Sequence, residues 1–297
     1  MNLIHEIIRG VWNIDKAYAD QYMPLVFNLL KGNDIALNNR HSEDPNNSST
    51  FSSLAILNAG KPYTASSRDI RYFPEDITEA SVFVLDLRGP ITKYDQGCGP
   101  VGMKTKSDLI KKADLHSNIF AHVICIDSGG GEGYAGRLMA ETLASLSKPV
   151  FSFIEDIGAS AAYMIPAGTS YVVANSPQAR IGSIGSYISV NDYREMLKNE
   201  GIREIDVYAD KSKDKNRDYL AAIDGDESLL KKLINQYNDF FLAHVQKSRG
   251  DKLTSNDWDS GKMFFAEDAK ALGLIDDIMS FDELLTHIFN EFSPKTP

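Results

Sequence analysis

The chain has 297 residues, a formal net charge of −10 and 43% hydrophobic content, the make-up of an ordinary globular protein with room for a substantial core. Acidity of this size argues against a nucleic-acid binder, which needs a basic stripe. Only two cysteines occur, Cys98 and Cys125, which excludes a disulfide scaffold and a CxxC zinc site and favours a reducing compartment.

At the amino terminus, apolar residues from Leu3 to Leu29 recur at three- and four-residue spacing, which predicts one or two amphipathic helices over residues 2–31, within a helical segment taken as 1–35. Glu6 and Asp15 in this stretch are wrong for a secretory signal. No apolar run reaches the roughly 18 residues of a membrane span, so a cytoplasmic chain without a membrane anchor is expected. Residues 36–80 form a polar linker and irregular lead-in, beginning with "NNRHSEDPNNSST" and containing one short strand.

From Ser81 to about residue 290 the texture is that of one folded domain. "SVFVLDLRG" reads as a buried strand, "KTKSDLIKKADLH" as a helix, "FAHVICIDS" as a strand and "GYAGRLMAETLASLS" as a helix. "KPVFSFIED" is a strand, "GASAAYMIPAGT" a short helix and "SYVVANS" another strand. Strands alternating with helices predict an α/β layered core. A long amphipathic helix follows in "DESLLKKLINQYNDFFLAHVQKSRG", with Gly250 as its stop. "AEDAKALGLIDDI" is a short helix capped by Gly273 and then a strand; "FDELLTHIFNEF" is the last helix, and residues 291–297 form a frayed tail.

The stretch "IDSGGGEGYAG", residues 126–136, places Gly129, Gly130, Gly131 and Gly133 directly after an apolar strand. So much glycine means that the backbone itself must approach something. One candidate is a dinucleotide phosphate: Gly131, Gly133 and Gly136 satisfy GxGxxG, and Asp156 follows twenty residues on. Yet Asp127 to Gly130 intervene between strand and fingerprint, and the first glycines have no task in that scheme. The other candidate is a row of bare N–H groups beside a nucleophile. Ser160 supplies one, set among Gly158, Ala159, Ala161 and Ala162 at the start of a helix. As a plain N-cap, the same serine would need no function at all. None of the six histidines lies between His122 and His244, so none follows the serine closely. A Ser-His-Asp set could still assemble in space; lysine is the other known partner, for which "YADKSKDKNRDY" offers Lys211, Lys213 and Lys215. By composition alone that run is a solvated charged loop.

Taken together, these residues resemble the signal peptide peptidase A family of serine peptidases, which includes the phage head-maturation proteases. Asp127, Ser128, Gly129, Gly130 and Gly131 stand for the family's N-S-P-G-G-G, with aspartate for asparagine and glycine for proline. Ala159 to Tyr163 match A-S-[GA]-[GA]-Y, and Ile181 to Gly185 match T-G-S-[LI]-G. Asp210 to Asp214 correspond to the lysine motif, and "GKMFFAEDAKALGLID" is similar to the family's closing segment. The resemblance covers about residues 81–280 and implies a Clp protease/crotonase-like fold of stacked ββα units, here with an extra N-terminal helical segment. It implies Ser160 as nucleophile, Lys213 as base, Ser183 orienting the lysine, and an oxyanion hole from Ala161 with Gly130 or Gly131. No cofactor or metal is expected. A free lysine titrates at ~10.4, so a base near pH 7 needs a drop of about 3 units, which calls for removal of water.

The family further implies a homo-oligomeric ring with active sites near subunit boundaries. The lack of a tether resembles the phage branch, whose substrates are scaffolding, portal or capsid-assembly proteins. The alternatives are a peptide-clearing enzyme of the same family, an inactive oligomeric scaffold of the same fold and, on the glycine fingerprint, an NAD-binding oxidoreductase.

Overall fold

A computed structural model describes residues 12–14, 54–58, 77–96, 100–203 and 205–294. In chain order, β1 (Trp12–Ile14), β2 (Leu54–Asn58) and β3 (Ser81–Arg88) precede α1 (Met103–Leu115). Next come β4 (Ile119–Ser128), β5 (Gly130–Glu132), α2 (Gly133–Ala144), β6 (Val150–Ala159) and the four-residue α3 (Ala161–Met164). β7 (Tyr171–Ala174) and β8 (Arg180–Gly182) are followed by α4 (Arg194–Asn199), α5 (Arg217–Ile223) and the long α6 (Ser228–Arg249). β9 (Met263–Phe265), α7 (Ala266–Ala271), β10 (Asp277–Ile278) and α8 (Phe281–Phe292) complete the order.

The main sheet runs β10-β7-β6-β4-β3-β2, with β8 paired to the far end of β6 and β9 to β8. Its central strands are parallel; β2 on β3 and β9 on β8 are antiparallel. Parallel strands must be covered on both faces, which is why β3, β4 and β6 read as near-continuous apolar runs. Phe83, Leu85, Leu87, Ile124 and Ile126 belong to the core on one face, where Met139 of α2 and Phe241 and Val245 of α6 also pack. On the other face Val82, Val84, Val123 and Phe153 meet Leu284 and Ile288 of α8. A capping box at Ser280 and Glu283 starts α8, each side chain bonding the other residue's backbone N–H.

The α/β class and the alternation of strands and helices are as expected. One departure lies at the amino terminus. Residues 12–14 are a strand within the stretch read as helical, paired antiparallel to β5. Tryptophan and β-branched isoleucine suit a strand, and the glycine-rich edge offers main-chain partners that a local apolar spacing cannot reveal. The rest of that helical segment, and most of the lead-in, lie outside the described residues. Leu54–Asn58 supplies the single short strand expected there. Among the described residues no helix is long and apolar enough to cross a membrane.

Candidate active site

The site lies where an open α/β sheet ordinarily places one, beyond the carboxyl ends of its parallel strands. β4 and β6 run side by side to these ends, and Ser128 registers with Gly158. β6 continues to Ala159, and there the chain turns sharply into α3. Ser160 forms the elbow with φ 57° and ψ −125°, a conformation that costs a non-glycine residue on the order of 1–3 kcal/mol. It is held there. The Ser160 N–H donates to the Gly182 carbonyl at 2.8 Å, while its own carbonyl accepts from Tyr163 and Met164 at 2.9 and 3.1 Å. No side-chain cap bond is made by the Ser160 hydroxyl, although the residue is only 1% exposed. The N-cap reading therefore does not apply, and an observed strain without a capping role points to function.

Small neighbours make this elbow possible. Ala159, Ala161 and Ala162 are fully buried, and the hydroxyl of Tyr163 ties the turn to the Leu274 carbonyl at 2.7 Å. Ala161 opens α3, so its N–H has no intrahelical acceptor. Beside it, Gly182 and Ser183 extend β8; Ser183, also at positive φ (50°), donates its N–H to the Lys262 carbonyl at 2.7 Å. Ser183, Ile184, Gly185, Asn238 and Gly261 line a cavity of about 490 Å³ on this side.

The glycines form a strand, not a phosphate turn. Gly130 adopts φ 104°, where only glycine is comfortable, and its N–H is taken by the Ser128 hydroxyl at 3.1 Å. A Cβ on Gly131 would run into the main chain of Ile91. Ile91 donates to the Gly130 carbonyl at 2.9 Å and accepts from the Glu132 N–H at 2.8 Å. Alternation along the strand then turns the Gly131 N–H and C=O to the opposite edge. Of the two glycines considered for an oxyanion hole, Gly131 thus has its donor toward that edge. The dinucleotide reading fails on the same geometry, because Gly131 is clamped within β5.

Ser160, Ala161, Ser183 and the Gly130–Gly131 strand are brought together. Lys213 is not. It lies exposed in a turn between α4 and α5, where Ser212 donates to Ala209 and Lys215 to Ser212, and no contact joins it to Ser160 among the described residues. Lys211 and Lys215 are exposed as well. Two buried or half-buried histidines are committed elsewhere: His122 Nε2 to Asp114 at 3.0 Å, and His244 Nε2 to the Met164 carbonyl at 2.9 Å. Sequence reasoning missed Ile91 as the clamp on β5 and the Gly182 carbonyl as the anchor of Ser160. The turn-forming Gly89-Pro90 after β3 was the one available signal for the first.

On the opposite face, Asp86, Cys125 and Glu155 bring ligand-type atoms within 4.8 Å of one another. Arg88 already forms ion pairs with both carboxylates, at 3.7 and 2.8 Å. Nearby, burial and then the charge of Asp156 push the Asp127 carboxyl above the usual carboxylate range.

A family model described as Peptidase family S49 matches residues 143–291, just over half of the chain. Over 203 residues the chain is 29% identical to a protein of Methanocaldococcus jannaschii provisionally named a protease, covering 65% of this chain and 64% of that one. Protease 4 of Salmonella typhi is 28% identical over 213 residues, 69% of this chain and 34% of the relative. The chain therefore spans less than two thirds of the length of either relative. Among solved structures, a ClpP1 variant from Listeria monocytogenes superposes with a TM-score of 0.42 at 15% identity, covering 67% of this chain and 92% of that one.

Proposed function

The chain belongs to peptidase family S49, and from that premise we propose that it is a serine endopeptidase working through an acyl-enzyme, with Ser160 as nucleophile and Lys213 as base. The observation that carries the reading is the Ser160 elbow: a buried, conformationally strained serine whose hydroxyl makes no cap bond, at the head of α3, which packs against β5. Ser160 Oγ attacks the scissile carbonyl as the neutral Lys213 amine takes its proton. The developing oxyanion accepts from the N–H groups of Gly131 and Ala161, and the protonated lysine gives its proton to the leaving amine. Water, activated by the same amine, then hydrolyses the ester and frees Ser160. Losing one oxyanion donor typically costs about 10²–10³ in rate.

Lys213 must approach Ser160 and lose its water to act. The arm that carries it supports docking against a second copy of the chain. α4 and α5 contribute no buried side chain, and Ile205 and Val207 are 68% and 90% exposed. A homo-oligomer in which neighbouring copies complete the sites follows from this reading, and the proposed substrates are extended polypeptides, with phage scaffolding, portal or capsid-assembly proteins as the class. The exposed lysine would equally suit an inactive scaffold of the same fold.

The test is hydrolysis of an unfolded, fluorogenic polypeptide by the assembled protein beside Ser160→Ala and Lys213→Ala. Turnover lost in both variants supports the dyad. Equal turnover in all three ends the proposal, and no turnover in any returns the scaffold reading.

A further inference from the structure

The edge that a substrate would use is already taken. Ile91 holds one side of β5 through the Gly130 carbonyl and the Glu132 N–H. The other side, toward which the Gly131 N–H and C=O are turned, carries β1. Trp12, Asn13 and Ile14 run antiparallel to Glu132, Gly131 and Gly130, with Asn13 in register with Gly131. Any extended peptide presenting a carbonyl to the Gly131 N–H must lie in this same lane, since strand addition uses one row of main-chain groups for one strand. Two strands cannot share it.

Resting on the reading of Gly131 and Ser160 given above, we propose that β1 is an intramolecular occupant of the substrate lane, an autoinhibitory strand that must leave before another polypeptide can pair with β5. Its register puts Asn13 opposite the oxyanion donor, in the place of the residue whose carbonyl would be attacked. The occupant can rest there uncut because Lys213, the proposed base, is exposed and away from Ser160. Occupation and an incomplete dyad thus describe one resting state. A three-residue ladder is a weak hold, made effective by covalent tethering, which supplies a local concentration on the order of millimolar. A better-pairing substrate, or a conformational change that accompanies assembly, can displace it.

The experiment uses the full chain carrying Ser160→Ala, which binds without cutting, and a fluorescein-labelled synthetic peptide with the sequence of residues 8–18 as the probe. Asn13→Pro removes the N–H that β1 needs at the Gly131 position; Asn13→Ala keeps it. If the lane is occupied about nine-tenths of the time, freeing it strengthens probe binding about tenfold in the Pro variant. The Ala variant is expected to bind like its parent. Equal affinity in all three proteins overturns the proposal. Should the Pro variant fail to fold by circular dichroism, hydrogen exchange on the Asn13-containing protein decides: matched protection of the Asn13 and Gly131 amides is expected, and exchange of Asn13 at the rate of free chain overturns it. Because the binding arm needs no turnover, failure of the peptidase reading would show separately, as absence of Ser160-dependent hydrolysis.

Discussion

Around Ser160 the main chain is anchored by bonds to several elements, whereas the arm from residue 190 to 225 holds itself together at the surface. The elbow is anchored to Gly182, Tyr163, Met164 and, through Tyr163, to Leu274. The arm relies on Arg194, which reaches Asp192 at 2.7 Å and Asp224 at 2.6 Å, all exposed to water. Exposed pairs of this kind contribute little to stability, because water screens them and ordering the side chains costs entropy. One half of the proposed catalytic pair is therefore preorganised by a single chain, and the other half waits for a surface to bury it. On the proposed reading activity would then depend on assembly, because a lysine in water is a poor base at neutral pH.

The comparison breaks most sharply at the three lysines of the turn between α4 and α5. Lys213→Ala is expected to lower kcat/KM by about 10²–10⁴, the usual range for a general base, while Lys211→Ala and Lys215→Ala stay within a few-fold of the parent. Steady-state hydrolysis of one polypeptide substrate by all three variants checks this. A loss centred on Lys211 or Lys215 would move the base along the turn. Next in size is the contribution of assembly. Val207→Asp puts a charge on a side chain exposed in the single chain, so the fold of that chain should lose no more than about 0.5 kcal/mol. Sedimentation should show smaller particles and hydrolysis should fall with them. Full activity in a dispersed Val207→Asp protein would show that one chain completes its own site.

The preorganised half was largely legible in the sequence, and the reasons are physical. β3, β4 and β6 are buried on both faces, so their apolar runs announce them, and Gly158 to Ala162 mark a turn where bulk is excluded. What could not be read was pairing between distant segments. β8 and β9 are three residues each, too short for any period to show. β1 exists through its partner β5, while the apolar spacing around it favours a helix. The left-handed conformation of Ser160 was equally hidden, since serine has no preference for it and only the tertiary bonds impose it. Lys106 gave no signal at all: within the helix read from "KTKSDLIKKADLH" nothing sets it apart, and it is fully buried, its amine donating to the Asp86 carbonyl at 2.6 Å.

Lys106 gives the core side of the comparison its own test. Burial lowers its pKa to about 7, with Asp86 and Asp95 only partly opposing. Between that value and the ordinary lysine value near 10.5 the unfolded chain holds a proton that the folded chain has released. Stability contributed by this group is therefore present above the unfolded value and declines as pH falls toward 7. Lys106→Met, of similar length and without charge, is expected to be more stable than the parent at pH 7. The gap should close by on the order of 2–4 kcal/mol toward pH 10. Chemical denaturation of both proteins across that range measures it, and a gap independent of pH would mean that Lys106 stays charged in the fold.

The smallest effect concerns the elbow itself, and it separates strain from packing. If Ser160 is held at positive φ by its bonds to Gly182 and Tyr163, then glycine, which adopts that region freely, should relieve the distortion while keeping every main-chain bond. Against the relief of about 1–3 kcal/mol stands the greater chain entropy of an unfolded glycine, about 0.5–1 kcal/mol. Ser160→Gly should then be more stable by about 1 kcal/mol and wholly inactive, whereas Ser160→Ala, inactive too, keeps the Cβ and gains nothing. Equal melting temperatures for the Gly and Ala variants would mean that the elbow stores no strain. This pair of substitutions measures what the elbow costs the fold without any assay of catalysis.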